Sequence, residues 1–296
     1  MTVFGVDYRS ESYQSVKGWR RIWPLVRLEF GALFRGKWGT LLFVFCALPS
    51  LFRLFFLLVW TGALGFGAGR MMSGRRGAAL RDLMPDNREF YVETVVAAEN
   101  GMFVIMLLMA LATARVIAKD RATNALEFYW TRGISPWGYF LAKWLGSTLL
   151  VGLLTVAAPV FLWTVGVLLA EDWTFFQETV GFMPRAVLGL MTFTVVLTLL
   201  CTLLSAITAT ANLATILWCL LLVGGWAVAQ LISDLSGDRV ESWLSLWGAA
   251  GTLARSIAGI SERGASAAGA WVFVGVATLV LGLLARRNLR LQGAIG

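Results

Sequence analysis

The chain reads as an all-α protein that crosses a bilayer repeatedly, and three observations lead there. Of its 296 residues, 58% are hydrophobic, and the mean hydropathy is +0.74; a soluble domain is about half apolar. The apolar residues gather into six runs: Gly39 to Gly62, Met102 to Ala118, Trp144 to Ala170, Ala186 to Ala209, Leu213 to Ile232 and Ala270 to Ala285. Most reach or approach the roughly 20 residues that cross about 30 Å of hydrocarbon. Runs this long without alternation are helices rather than barrel strands, because each must satisfy its backbone within itself. The third observation is the absence of Asp, Glu and His from the central stretches of all six runs. Six spans, an N-terminal interfacial helix and a helical insertion before the last span are therefore expected. Fourteen Trp residues fit that layout, since indole favours the bilayer interface.

Residues 1–38 form the first unit. Met1 to Val16 is a short polar tail, expected to be loosely ordered; no cleavable leader is evident in it. From Arg20 to Trp38, the residues Trp19, Ile22, Trp23, Val26, Phe30, Leu33 and Phe34 recur at helical spacing, with Arg20, Arg21, Arg27 and Arg35 off that stripe. Pro24 is expected in the first turn, where its missing N–H costs nothing. Such a helix lies in the interface or packs on protein.

Residues 39–296 form the six-span unit. Pro49 should kink the first span. Arg53 lies in the same run, where a mid-bilayer arginine costs about 2.5–3.5 kcal/mol on insertion scales. It either lines a pathway or a subunit seam, or the span is shifted and it snorkels to headgroups. Gly62 to Gly69 ends the span, and Arg70 to Val95 follows as a loop of mixed charge. Glu99 and Asn100 open the second span at its outer end. Glu171, Asp172 and Glu178 make the next outer loop acidic, whereas the link from Thr208 to Asn212 is short and uncharged. Within residues 233–268, Trp243, Leu246, Trp247, Ala250, Leu253 and Ile257 mark a second amphipathic helix on the outer side. It either dips into the outer leaflet or caps the interface. With the N-terminus inside, 15 Lys and Arg residues fall on the inner side and nine on the outer, Arg53 apart. The bias places both termini in the cytoplasm.

Several function classes drop out. The net charge of +8 flanks spans and forms no basic module, so anionic headgroups, not nucleic acid, are the expected partner. Cys46, Cys201 and Cys219 lie inside the runs and read as apolar fillers. With no histidine the commonest metal ligand and general base is missing. Gly31 to Lys37 matches most of a phosphate-binding loop, then places Trp38 where Ser or Thr must bind magnesium. Gly65, Gly67 and Gly69 have no βαβ unit around them. No catalytic, cofactor or metal residue is assigned, and energy for any transport must come from another polypeptide.

Residues 119–137 are the most informative soluble piece. Asn124 to Trp130 is expected to make about two helical turns along the membrane, and Gly133 to Pro136 to turn back toward the third span. A short helix carrying charges and aromatics suits a groove on a partner; a plain connector is the alternative. The segment resembles the permease subunits of ABC-2 type ABC transporters. That pattern runs acid, basic, small, then Ala/Thr-Leu, an arginine before a small-x-Ser/Pro turn, then an aromatic and a lysine. Here it falls on Asp120, Arg121, Ala125, Leu126, Arg132, Ser135, Pro136, Tyr139 and Lys143, and Glu127 matches members with a Leu-Glu pair. Trp130 and Thr131 depart from it.

The resemblance implies a half-transporter in a bacterial inner membrane. Two permease chains, a homodimer, would form the pathway, and two separate ATPase subunits would bind beneath and hold the ATP. Asp120, Arg121, Leu126, Glu127 and Arg132 would couple the ATPase to the spans. Export is the direction the resemblance implies. A scaffold subunit of an envelope complex remains the alternative. An ion-driven transporter is disfavoured because it needs an acidic or histidine relay.

Overall fold

The computed structural model describes residues 19–60, 90–97, 101–126, 129, 134–170, 173–236, 244–260 and 266–293. The N-terminal tail, Gly62 to Gly69, the charged loop before residue 90, Glu99, Asn100, Glu127, Arg132, Glu171, Asp172 and Trp243 lie outside them. The described residues are helical, without strands.

α1 (Trp19–Ala32) is followed by a tight 3-10 turn, Leu33–Arg35, and by Gly36 in an extended conformation. α2 (Lys37–Trp60) then runs unbroken through Pro49. The amphipathic stretch expected to reach Trp38 is thus two helices, divided where Gly36 leaves helical geometry. Because α1 begins at Trp19, Pro24 sits in its second turn rather than its first. Leu25 and Val26 are buried and form a small cluster with Ala142, while Trp23 and Phe34 stay exposed. One edge of the apolar stripe therefore packs on protein and the other faces out.

Five helical segments are long and apolar enough to cross a membrane. They are α2; α6 (Pro136–Gly152) with α7 (Ala158–Leu169); α9 (Met183–Ile207); α10 (Ala211–Cys219) with α11 (Gly225–Ser236); and α13 (Ala267–Gly293). π-helical turns at Leu153–Ala157 and Leu220–Gly224 join the two composite spans. The expected second span is not one smooth helix. α3 (Phe90–Val96) precedes it, and the run itself divides into α4 (Phe103–Leu108), a π turn at Met109–Thr113, and α5 (Val116–Ala122). α8 (Thr174–Val180) fills the loop before α9.

α9 is the centre of the bundle. Its most apolar stretch is 67% buried, against 11% for α2, for α10–α11 and for α13, whose outer faces are left for lipid. Threonines make the polar contacts within this core: Thr148 and Thr155 of the α6–α7 segment meet Thr198 and Thr194 of α9 at 2.9 and 2.6 Å. Each of these also has a carbonyl one turn back in its own helix within donating distance, so each of the four hydroxyls has a partner in the apolar interior.

The amphipathic stretch before the last span is α12 (Leu246–Ala258), and it does not lie on a surface. Nine of its residues are buried. Gly189 lets the α12 backbone close on α9, since a Cβ there would collide with the Ala254 carbonyl. Trp247 stacks edge-on against Phe193 at 4.9 Å and donates its indole N–H to the Val96 carbonyl at 2.9 Å. Its amphipathicity reflects small residues facing α9, not a membrane surface. The three cysteines are free, with Cys46 and Cys201 buried.

Candidate functional site

The ends of α1, α5, α6, α9 and α13 converge, and an unusual number of polar groups converges with them. Ser135 caps α6 by accepting the Gly138 N–H, with Pro136 in the first turn. The α6–α7 segment has 34 residues, about 51 Å at 1.5 Å per residue. That exceeds the roughly 30 Å of hydrocarbon, so its first turns can project beyond it. Lys143 lies there, almost wholly buried.

Its ammonium group reaches Glu29 of α1 at 2.7 Å and Asp120 of α5 at 2.9 Å. Asp120 also accepts the Tyr139 hydroxyl at 2.7 Å. The three charged side chains are 4%, 12% and 17% exposed (Lys143, Glu29, Asp120), so this network is shielded from water and strengthened accordingly. α1 comes this close because of Gly146, where a Cβ would stand 2.6 Å from that of Glu29.

Arg121 points the opposite way from Asp120. It donates to the carbonyls of Ala206 and Thr208, both at 2.6 Å. These are orphan acceptors at the end of α9, and a cation there also meets the negative end of the helix dipole. Asn288 of α13 donates to the intervening Ile207 carbonyl at 3.2 Å. Ser205 completes the seam: its hydroxyl oxygen accepts from the N–H groups of Ile117 and Ala118, both at 3.1 Å. Those are first-turn donors of α5, left without helical partners by the break at Ala114 and Arg115.

Leu126 is buried with Ile117, Phe140, Leu203 and Ala206. Between the anchors, Ala122, Thr123 and Asn124 are exposed. Asn124 adopts φ +54°, the left-handed geometry that Asn tolerates better than most residues, and it ends α5 where the expected helix was to begin. Ala125, Leu126 and Tyr129 are helical again. Of the five proposed coupling residues, then, Asp120, Arg121 and Leu126 face inward, and Glu127 and Arg132 lie outside the described residues.

Arg53 is near the other end of α2. It donates to the Phe90 carbonyl at 2.9 Å and to the Thr94 hydroxyl, with its guanidinium 4.8 Å above the Phe90 ring. It is tied to α3 and does not reach toward the end where α2 begins. One turn along, Glu93 takes both guanidinium arms of Arg255 from α12, at 2.6 and 2.7 Å. Glu29, Ser205, Asn288 and the Glu93–Arg255 pair were not singled out from sequence. Glu29 had a signal: it is the sole acid in a helix holding three arginines.

Residues 80–285 match the family model described as ABC-2 family transporter protein. The chain belongs to the ABC-2 transporter family. A search of curated proteins finds no match. The matched stretch contains every helix from α3 to α12, and most of α13. The protein is a multi-pass ABC-2 permease. Glu29 of α1 lies before the matched residues, so the polar hub ties a flanking helix to the shared domain.

Proposed function

We propose that this ABC-2 permease is the passive, lipid-embedded half of an ATP-powered exporter, driven by a separate ATPase that docks on residues 119–137. One observation carries the reading. Within seven residues, Asp120, Arg121 and Leu126 bind the loop to α6, α9 and, through Lys143, to α1. A force applied to the exposed Thr123–Asn124 tip is delivered to three helices at once, because the anchors leave it little freedom to yield locally. This alters the expected role of the inward residues. Asp120, Arg121 and Leu126 transmit, and contact with the ATPase falls to the exposed tip together with Glu127 and Arg132.

The arrangement has two permease chains as a homodimer over two ATPase subunits. The hub and both termini face the cytoplasm of a bacterial cell, and the α4–α5 stretch crosses beside the five long spans as a sixth. ATP is bound and hydrolysed by the partner alone. ATP-driven closure of the partner would tilt the spans through the hub.

The test is to purify the chain with what accompanies it and measure ATP-dependent turnover. A stoichiometric ATPase is expected. Replacing Leu126, Glu127 and Arg132 together by alanine should abolish coupled turnover while membrane insertion persists. Full turnover in that variant, or ATP hydrolysis by the isolated chain, overturns the proposal. An envelope complex without any ATPase would favour the scaffold reading instead.

A further inference from the structure

Beside the hub, a cavity of about 420 Å³ opens where α1 bends into α2. Arg35, Arg115 and Lys119 line it, together with Glu29 and Asp120. Both acids are engaged by Lys143. Among the described residues, none of Arg35, Arg115 and Lys119 has a carboxylate partner. The Arg115 Nε is buried without a hydrogen-bond partner. A guanidinium nitrogen in that position calls for an acceptor.

The second feature adjoins the first. An apolar groove of about 780 Å³ runs along α2 past Trp38, Leu41, Val44, Phe45 and Leu48. Leu33, Leu111 and Arg115 line both the cavity and the groove, so the two share a wall. From Trp38 to Leu48 the helix rises about 15 Å, half of the roughly 30 Å hydrocarbon thickness. The groove is therefore one leaflet deep. It starts at Trp38, 83% exposed, where an indole suits the headgroup level.

We infer that this composite site binds one anionic phospholipid, with its phosphate between Arg35, Arg115 and Lys119 and an acyl chain laid along α2. Charge complementarity selects the headgroup, since among the described residues the three cations have no carboxylate partner, the two lining acids being held by Lys143, and the planar guanidinium forks match phosphate oxygens. The depth of the groove selects a chain anchored in the leaflet nearest α1. The inference rests on the multi-pass membrane architecture and is independent of where an ATPase docks. A bound lipid would brace the α1–α2 bend against α5 and so set the resting position of the hub.

Native mass spectrometry of the full chain, titrated with phosphatidylglycerol or phosphatidylcholine of identical acyl chains, tests this. One phosphatidylglycerol should bind at least ten-fold more tightly than phosphatidylcholine. Arg35→Gln and Lys119→Gln, both at exposed positions, should each weaken it about five-fold, the effect of one basic residue at an anionic leaflet. Arg115→Gln should do so at least as strongly. Val44→Trp, which fills an exposed groove position without touching a charge, should remove the preference for that single lipid with an unchanged melting midpoint.

Equal binding of the two lipids would overturn the inference, as would undiminished phosphatidylglycerol binding in the Arg35→Gln, Lys119→Gln double variant. Displacement by millimolar inorganic phosphate, with Val44→Trp binding normally, would mean a phosphate site with no lipid chain. Efficient disulfide formation between two copies of Leu41→Cys in membranes would assign the groove to a second chain and overturn it too.

Discussion

Replacing Lys143 by methionine removes a buried cation and leaves two carboxylates, Glu29 and Asp120, facing each other across an almost dry contact. Lys143 is 4% exposed and its partners are 12% and 17% exposed, so water can do little to screen what remains. Breaking a buried pair by removing one member costs about 3–5 kcal/mol. For a chain of this size, about 2–4 °C of melting midpoint accompanies each kcal/mol, so a fall of at least ~6 °C is expected. The decisive control is the triple variant Glu29→Gln, Asp120→Asn, Lys143→Met. It has no uncompensated charge, and a buried amide costs far less to leave imperfectly paired than a buried carboxylate. The triple variant should therefore recover most of the lost midpoint while ATP-dependent turnover stays low, because α1 is no longer fastened to α5. Thermal unfolding in detergent and turnover in proteoliposomes, measured on the same preparations, separate the two effects. If Lys143→Met shifts the midpoint by less than about 2 °C, the network is worth no more than an exposed ion pair, and the reasoning about the hub fails.

Arg121→Ala should cost about 3 kcal/mol, since two carbonyls at the end of α9 lose charge-assisted bonds worth about 1.5–3 kcal/mol each. Arg121→Lys should recover only part, lacking the fork that spans Ala206 and Thr208, and faster amide exchange around residues 208–213 would report the loosened link. Asn124→Val should destabilise by about 1–2 kcal/mol because its left-handed backbone suits β-branched residues poorly, while Asn124→Gly should be near neutral; equal melting points for the two would contradict the assigned turn. Glu93→Gln should lower the midpoint through the half-buried Arg255, and the charge-swapped pair Glu93→Arg, Arg255→Glu should regain more than either single swap, as a double-mutant cycle would show.

Much of the architecture was legible in residue order. The apolar runs starting at Gly39, Ala186, Leu213 and Ala270 became spans within a few residues of the expected limits, except that α13 continues past Arg286. The third run starts eight residues early, at Pro136, because Ser135 and Pro136 form a cap stronger than the polarity of Lys143 suggests. Two elements differ in detail from their reading in sequence, for one reason. The stretch from Met102 to Ala118 looked like a continuous span, and the Leu246 stripe looked like a surface helix, because hydropathy records how apolar a segment is and not what it touches. In the fold, the break in the first is sustained by a serine from another helix, and the second is buried by glycine and alanine contacts that carry almost no hydropathic signal.

The candidate site divides along the same line. Asp120, Arg121, Leu126 and Lys143 could be picked out as a pattern, but their direction could not. A carboxylate on a loop beside a membrane looks available to a partner until a lysine 23 positions later and a glutamate in the first helix close around it.

Composition and periodicity were enough to establish that this chain is a helical, multi-pass membrane protein, because those properties are sums over local residues. Whether a given charge faces a neighbour, a lipid or a partner depends on which distant helix ends are brought together. That followed from long-range packing alone: Glu29 meets Lys143 across 114 positions, joined by the close approach that Gly146 permits.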